Sequence, residues 1–250
     1  MGIIGGTLGY HLLRTSQRLM DGRGPSMDGS AYKGKSKVEV LLGGDIWNQI
    51  KNRTVIDFGC GTGADAVEMA QHGARVIGID IVERYLAEAR NLANESGVSN
   101  NCQFVNHTDT KADVVISMDA FEHYASPLAV LKQMAVLLKP NGKVITAFGP
   151  TWYHPLGGHL FSIFPWSHLI FTETALIRWR SDFKTDGATK FSEVEGGLNQ
   201  MTIHRFKQIV AQSPFKIEHF QTVPIRRLKP LANRFTQEFT TAIVRCTLAR

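Results

Sequence analysis

The sequence predicts an α/β protein built on one doubly wound, mostly parallel sheet, and three observations carry that expectation. An apolar run, Val55-Ile56-Asp57-Phe58, enters a glycine-rich turn and then a helix rich in Ala64, Ala66, Val67, Met69 and Ala70. A second apolar run, Val76-Ile77-Gly78-Ile79, ends on an acid, Asp80. Strand and helix patterns then keep alternating with short connections, which predicts right-handed crossovers and a functional site at the carboxyl ends of the strands.

Each element has its own warrant. Residues 8–50 are polar and glycine-punctuated but close on an apolar stretch, Val38, Val40, Leu41, Leu42, Ile46 and Trp47, expected as part of an N-terminal helical cap over residues 1–50. Gly73 ends the first sheet-covering helix. The next, Val82 to Glu95, puts Leu86, Ala89 and Ala93 on one face and closes at Gly97. Cys102-Gln-Phe-Val and Asp113 to Met118 read as strands three and four. Pro127 suits a helix's first turn, with Leu128, Leu131, Met134, Ala135 and Leu138 as the buried stripe, and Lys139-Pro-Asn-Gly142 turns into strand five, Lys143 to Phe148. Residues 150–200 interrupt the alternation and are expected as an inserted cap. Met201 to Val210 leads into Phe215-Lys-Ile-Glu-His-Phe, and Phe239 to Leu248 can supply the final strand. The whole, residues 1–250, is expected as one domain.

Composition sets bounds. The 43% hydrophobic content fits a globular chain, and the net charge of +6 suits an anionic substrate or a membrane surface, yet no zinc-finger or aromatic RNA-binding motif is present, so nucleic acid is not an expected partner. Three scattered cysteines, Cys60, Cys102 and Cys246, favour a reducing compartment, with the cytoplasm as the default. The opening lacks the basic and apolar regions of a secretory signal, and Gly6 stands where a myristoylation site needs serine or threonine.

The glycine spacing narrows the cofactor. Gly59-Cys60-Gly61-Thr62-Gly63 is Gly-x-Gly-x-Gly, whereas a dinucleotide fingerprint is Gly-x-Gly-x-x-Gly, and Ala64 stands at the final position. Asp80, at a strand's carboxyl end, is placed to accept hydrogen bonds from both hydroxyls of a ribose. The string Asp57 to Gly63 resembles motif I of class I S-adenosylmethionine-dependent methyltransferases, and Gly78-Ile79-Asp80 resembles their acidic motif. The stretch Asp113-Val-Val-Ile-Ser-Met-Asp-Ala-Phe-Glu-His-Tyr is similar to later motifs of the branch that includes quinone-pathway methyltransferases. The resemblance implies a Rossmann-like seven-stranded sheet of order 3-2-1-4-5-7-6 with the seventh strand antiparallel, and S-adenosyl-L-methionine as cofactor. It implies cofactor contacts from Asp57, Gly59, Cys60, Gly61, Gly63, Asp80, Ile81 and Met118, with Asp57 toward the cofactor ammonium. An adenine contact is assigned to Asp109, with Asn106, His107 or Thr108 as alternatives in a short loop.

The chemistry and acceptor are sought after strands four and five. Trp152, Tyr153 and Trp166, with Phe161 and Phe164, are expected to wall an apolar acceptor pocket, the competing reading being a satellite core. An oxygen acceptor needs its proton removed, for which His154, His159 and then His123, beside Glu122, are the candidates. Asp119, Glu122, His123, His154 and His159 match no compact ligand spacing, so no metal is expected. Tyr32 and Lys33 are weighed as holders of the cofactor carboxylate, and Arg226-Arg-Leu-Lys229 with Arg234 as a charged rim. The expected activity is methyl transfer, preferably to oxygen, on a small, partly apolar molecule. The alternatives are a nicotinamide-dependent oxidoreductase and a non-catalytic cofactor-binding protein that contacts a membrane or partner through Phe161 to Phe171.

Overall fold

Alternate residues along the central strands feed two different cores, and this sorting defines the architecture. A computed structural model describes residues 2–19, 34–194 and 196–250. Tyr32 and Lys33 lie outside the described residues. The described chain runs α1 (Gly6–Leu19), α2 (Lys37–Leu42), α3 (Ile46–Ile50), β1 (Thr54–Phe58), α4 (Ala64–Gln71), β2 (Arg75–Ile79), α5 (Glu83–Glu95), β3 (Cys102–Val105), β4 (Ala112–Met118), α6 (Pro127–Leu137) and β5 (Leu138–Phe148). It continues through α7 (Ser167–Ile170), α8 (Glu173–Arg180), α9 (Ile203–Ala211), β6 (Lys216–Pro224), α10 (Gln237–Thr240) and β7 (Thr241–Ala249).

The strands form one seven-stranded sheet in the order β3-β2-β1-β4-β5-β7-β6, as expected. β1 to β5 pair in parallel, and β7 runs antiparallel to both β5 and β6. Val55, Val114 and Ile116 point into a core closed by Val38 and Leu41 of α2, Ile46 of α3, Met69 of α4 and Leu86 of α5. Ile56 and Val115, one residue out of phase, join Leu131 and Met134 of α6 and Phe206 and Val210 of α9 on the other face. That strict alternation is what a parallel sheet covered on both faces requires, and each such aliphatic side chain contributes about 1.5–3 kcal/mol by leaving water. The turn expected at Lys139-Pro-Asn-Gly142 falls inside β5 as an excursion: the β4 pairing jumps from Ala112↔Leu138 to Val114↔Lys143, and Asn141 takes a left-handed φ of 63°.

A third core lies beyond the sheet. Phe161, Ile163, Phe171, Ala175, Leu176, Trp179 and Phe191 of the inserted cap are buried together with Leu13 of α1. Phe161 and Phe191 rings sit 4.7 Å apart, and Phe164 packs on Phe171 at 6.2 Å. The expectation that Phe161 and Phe164 face an acceptor is therefore corrected: the aromatics of this segment mostly fill a satellite core whose missing side is supplied by α1. The proposed membrane face from Phe161 to Phe171 is corrected for the same reason, since Phe161 is 1% and Phe171 3% exposed. Among the described residues no helix is long and apolar enough to cross a membrane.

This division makes a test. Phe161→Ala should cost about 3 kcal/mol, because it empties a buried aromatic site, while Tyr153→Ala at a 36% exposed position should stay within about 0.5 kcal/mol. Urea unfolding of both variants checks it, and equal midpoints would refute the core assignment.

Candidate active site

The site is built at the carboxyl ends of β1, β2 and β4. Asp57 sits one residue before the end of β1, between Gly78 of β2 and Ile116 of β4, and is 3% exposed. Its Oδ2 atom is buried and has no hydrogen-bond partner. Burial first, and the charges of Asp65 and Asp80 after it, push the Asp57 carboxyl up to about 8, while Lys37 draws it down. A buried carboxylate without a donor is costly, so its position asks for a cationic or donating ligand.

The glycine turn supplies the room for one. Gly61 has φ +52° and a Cβ placed there would meet nothing within 4 Å, so the backbone borders open space. Gly63 differs: at φ +81° it caps α4, and a Cβ would lie 2.6 Å from the Ala89 Cβ and 2.8 Å from the Phe104 ring. Here the missing side chain lets α4 and α5 close on β3, a packing demand that adds to the expected cofactor contact of its backbone. Cys60, between Gly59 and Gly61, packs against the first core, its thiol raised mainly by burial and then by Asp57 and Asp80, and so held neutral.

Asp80 is preorganised. Its Oδ2 accepts from the Gly61 N–H at 2.9 Å and its Oδ1 from the Val82 N–H at 2.9 Å. Two backbone donors fix the carboxylate plane, and the remaining lone pairs are left for a diol. The next residue, Ile81, is 93% exposed, an apolar surface beside the acid suited to a flat ring. Met118 closes β4 and is 6% exposed within the first core. Asp109 stands in solvent, paired only with His107 at 3.4 Å, so nothing in its geometry favours it over its loop neighbours.

Two contributors escaped sequence reasoning. Lys37 begins α2, whose cap Ser36 accepts from the Glu39 N–H at 3.0 Å. Its Nζ reaches Asp65 at 3.1 Å and Asp119 at 3.5 Å. Burial pulls its pKa down, but the two carboxylates outweigh that and leave it raised. The helix is held in place by Arg245 of β7, whose guanidinium donates to the Leu41 and Val40 carbonyls at 2.8 Å each. The Ser36-x-x-Glu39 spacing signals the helix start, but nothing local signals the Arg245 contact. Tyr124 is the second: its hydroxyl shares a 2.8 Å hydrogen bond with Ser117 Oγ and donates to the Phe58 carbonyl at 3.3 Å, beside Gly59. Burial keeps that phenol protonated.

Beyond β4 the titratable groups converge. Ligand atoms of Glu122, His123 and His159 lie within 4.8 Å of one another, and the two imidazole rings are 5.1 Å apart. His123 Nδ1 lies 2.8 Å from the Gly197 carbonyl, which can only accept, so Nδ1 carries the proton and Nε2 keeps its lone pair. Glu122 is 2% exposed with Oε2 unpartnered, and burial, then Asp119, raise its carboxyl well above the ordinary range. His159 has an unpartnered, buried Nε2 and a φ of 51°, and burial lowers its pKa to about 3. The sequence spacing gave no hint of this trio because His159 arrives from the cap, thirty-odd residues on. His154 is corrected: its Nδ1 accepts from the Leu156 N–H at 2.9 Å within its own turn, and the structure does not bring it into the trio. His168 is likewise structural, bonded to Trp152 O at 2.7 Å and Ser162 Oγ at 3.3 Å.

The aromatic candidates separate. Trp152 meets His168 edge-to-face at 4.8 Å and the tilted Phe191 ring at 5.6 Å, and lines a cavity of ≈ 30 Å³, space for water rather than an acceptor. Trp166 donates its Nε1 to the Tyr153 carbonyl at 2.9 Å, and so fixes backbone. Tyr153 alone of the three stays at the surface, its ring 5.2 Å from Phe239.

An orphaned acid, an open glycine cradle and a preorganised second acid together fit a nucleoside cofactor that carries a cation. They are the features expected of a site in class I S-adenosylmethionine-dependent methyltransferases. Residues 56–146 match the methyltransferase domain family model. Curated relatives include ubiquinone biosynthesis O-methyltransferases of Coxiella burnetii (strain Dugway 5J108-111), 34% identical over 100 residues, 38% of this chain and 43% of that protein. The enzyme of the same description from Aliivibrio fischeri (strain ATCC 700601 / ES114) is 35% identical over 122 residues, 46% of this chain and 51% of that protein. The chain thus matches about half the length of these relatives or less. In solved structures, an S-adenosylmethionine-dependent methyltransferase from Mesorhizobium loti superposes with a TM-score of 0.52 at 15% identity, covering 80% of this chain and 92% of that one. The [4+2]-cyclase SpnF superposes at 0.56 and 15% identity over 100% and 99%. These two likenesses speak for the fold alone.

The glycines and Asp57 make separable predictions. Gly63→Ala should lose about 2–4 kcal/mol of stability through clash and strain, whereas Gly61→Ala should lose only about 1 kcal/mol yet weaken cofactor binding. Denaturation and calorimetry on the same two proteins decide it. Because the folded Asp57 pKa of about 8 exceeds the ordinary value of 3.8, its protonated form contributes stability below pH 4 that is lost as pH rises toward 8. A cationic ligand reverses that preference, so binding at pH 7 should release about one proton and tighten up to pH 8. Calorimetry in two buffers of different ionisation enthalpy reads the release, and Asp57→Asn should abolish it.

Proposed function

We propose that the protein transfers a methyl group from S-adenosylmethionine to an oxygen of a small, partly apolar acceptor, with His123 as the base. The observation that carries the reading is the carboxylate-rich turn of Asp57, Gly61 and Asp80 with a tautomer-fixed imidazole at the end of the neighbouring strand. The names of the partial relatives, O-methyltransferases of ubiquinone biosynthesis, support oxygen as the accepting atom.

Asp57 would hold the cofactor ammonium, Asp80 the ribose, and Ile81 the face of the adenine. When bound, the cofactor supplies an activated sulfonium methyl, so the protein's tasks are alignment and removal of one proton. His123 Nε2 takes that proton while the Gly197 carbonyl keeps the ring oriented and stabilises the imidazolium through Nδ1–H. Glu122 and His159 lie near enough to share the charge that develops. Tyr153 and Phe239 mark the acceptor's entrance at the carboxyl edge of the sheet.

His123→Gln should lower kcat on a phenolic acceptor with an apolar tail by about 10²–10⁴-fold, with the cofactor dissociation constant unchanged. Asp80→Ala should instead abolish cofactor binding in calorimetry. A folded wild type that binds reduced nicotinamide and not S-adenosylmethionine would overturn the whole assignment. Full turnover by His123→Gln would overturn only the base.

A further inference from the structure

The segment between β6 and β7 carries surface that neither the sheet nor the proposed chemistry uses. Pro224 pairs with Thr241 where β7 begins, and Val244 pairs with Phe148 at the end of β5, so residues 225–240 lie at the carboxyl edge beside the site. In this stretch Leu231 is 62% and Phe235 79% exposed. Arg226, Arg227, Lys229 and Arg234 are exposed around them. The only acid of the stretch, Glu238, is engaged elsewhere, accepting from the Ile203 and His204 N–H groups at the start of α9 at 3.0 and 2.8 Å.

The apolar tips are held on a defined turn. Asn233 Oδ1 accepts from the Phe235 N–H at 2.8 Å and the Thr236 N–H at 3.2 Å, and Thr236 Oγ1 donates to the Leu231 carbonyl at 2.5 Å. Arg234 lies over the Phe235 ring at 4.5 Å. A hydrogen-bonded turn that presents bare Leu and Phe inside a ring of arginine and lysine is the arrangement by which a protein enters the headgroup region of a bilayer, apolar tips down and cations among phosphates. A second copy of the chain fits poorly, because a twofold contact would set these four cations against the same four.

We propose that residues 225–240 dock the protein on an anionic lipid surface, with the active-site mouth facing the membrane. The proposal goes beyond methyl transfer and stands or falls without it. The test is sedimentation of the full chain with phosphatidylcholine vesicles with and without about 30% phosphatidylglycerol, at about 0.15 M salt. Partition onto the anionic vesicles should exceed that onto pure phosphatidylcholine at least ten-fold. The double variant Leu231→Ser/Phe235→Ser should lose at least ten-fold. Arg226→Gln/Arg227→Gln/Lys229→Gln should lose more than ten-fold, since each basic residue near such a surface is worth roughly a five-fold gain, and should flatten the salt dependence. Both variants should keep the wild-type melting temperature and cofactor affinity, which separates loss of docking from loss of the site. No preference for anionic vesicles, or undiminished binding by both variants, would overturn the proposal. So would a dimer in sedimentation velocity that Phe235→Ser dissolves without vesicle binding, or tight binding to a single-stranded oligonucleotide in place of vesicles.

Discussion

A buried, unpartnered carboxyl at the centre of the sheet organises this protein. Asp57 is buried at the carboxyl end of β1 with one oxygen unpartnered, and Asp65, Asp80, Asp119 and Glu122 surround the same opening. Lys37 is the amine that faces them, reaching Asp65 and Asp119 but drawing Asp57 down less than burial pushes it up. Among the described residues this acidic cluster outnumbers its cations. Neutral protonated carboxyls relieve it in the free protein, and a ligand that brings its own positive charge relieves it better, because the Coulomb gain is larger where water is scarce. The charge distribution therefore argues for a cationic cofactor independently of any glycine motif.

The second half of the site depends on a contact far along the chain. After the cap, Gly197 accepts from His123, the Asn199 side chain donates to the Phe121 and Tyr124 carbonyls at 2.6 and 2.8 Å, and the Asn199 N–H donates to the Glu122 carbonyl at 2.9 Å. The short segment after β4 is thus clamped residue by residue by the strand of chain leaving the cap. Leu198, between Gly197 and Asn199, is buried in the same cluster as Leu13 of α1, so the clamp is anchored to the satellite core.

What could be read in advance was whatever is contiguous. The strand, turn, helix and second acid from Val55 to Asp80 fall within a single βαβ unit, so spacing exposed the glycine turn and Asp80, while the family resemblance supplied the role of Asp57 and the strand order. The packing demand on Gly63 was not legible, because a glycine needed for packing and one needed for a ligand have the same letter; only the 2.6 Å approach of Ala89 reveals it. The aromatic cap was misread for a related reason. Composition shows that Phe161, Phe164 and Trp152 want burial, but the partner that buries them, α1, lies well over a hundred residues earlier. Lys37 was missed because its placement rests on Arg245, from the other end of the chain.

The same reasoning explains where the surface is left apolar. A cap that spent its aromatics outward would leave α1 and α8 without a shared core, and the observed cap does the opposite. The exposed side chains at the carboxyl edge come instead from the β6–β7 connection, whose backbone is satisfied internally by Asn233 and Thr236 and anchored to α9 by Glu238. Such a segment can present Phe235 to its surroundings without weakening the fold, because no core residue relies on it. Stability and contact with the surroundings are thereby assigned to different aromatic sets, and substitutions in one leave the other standing.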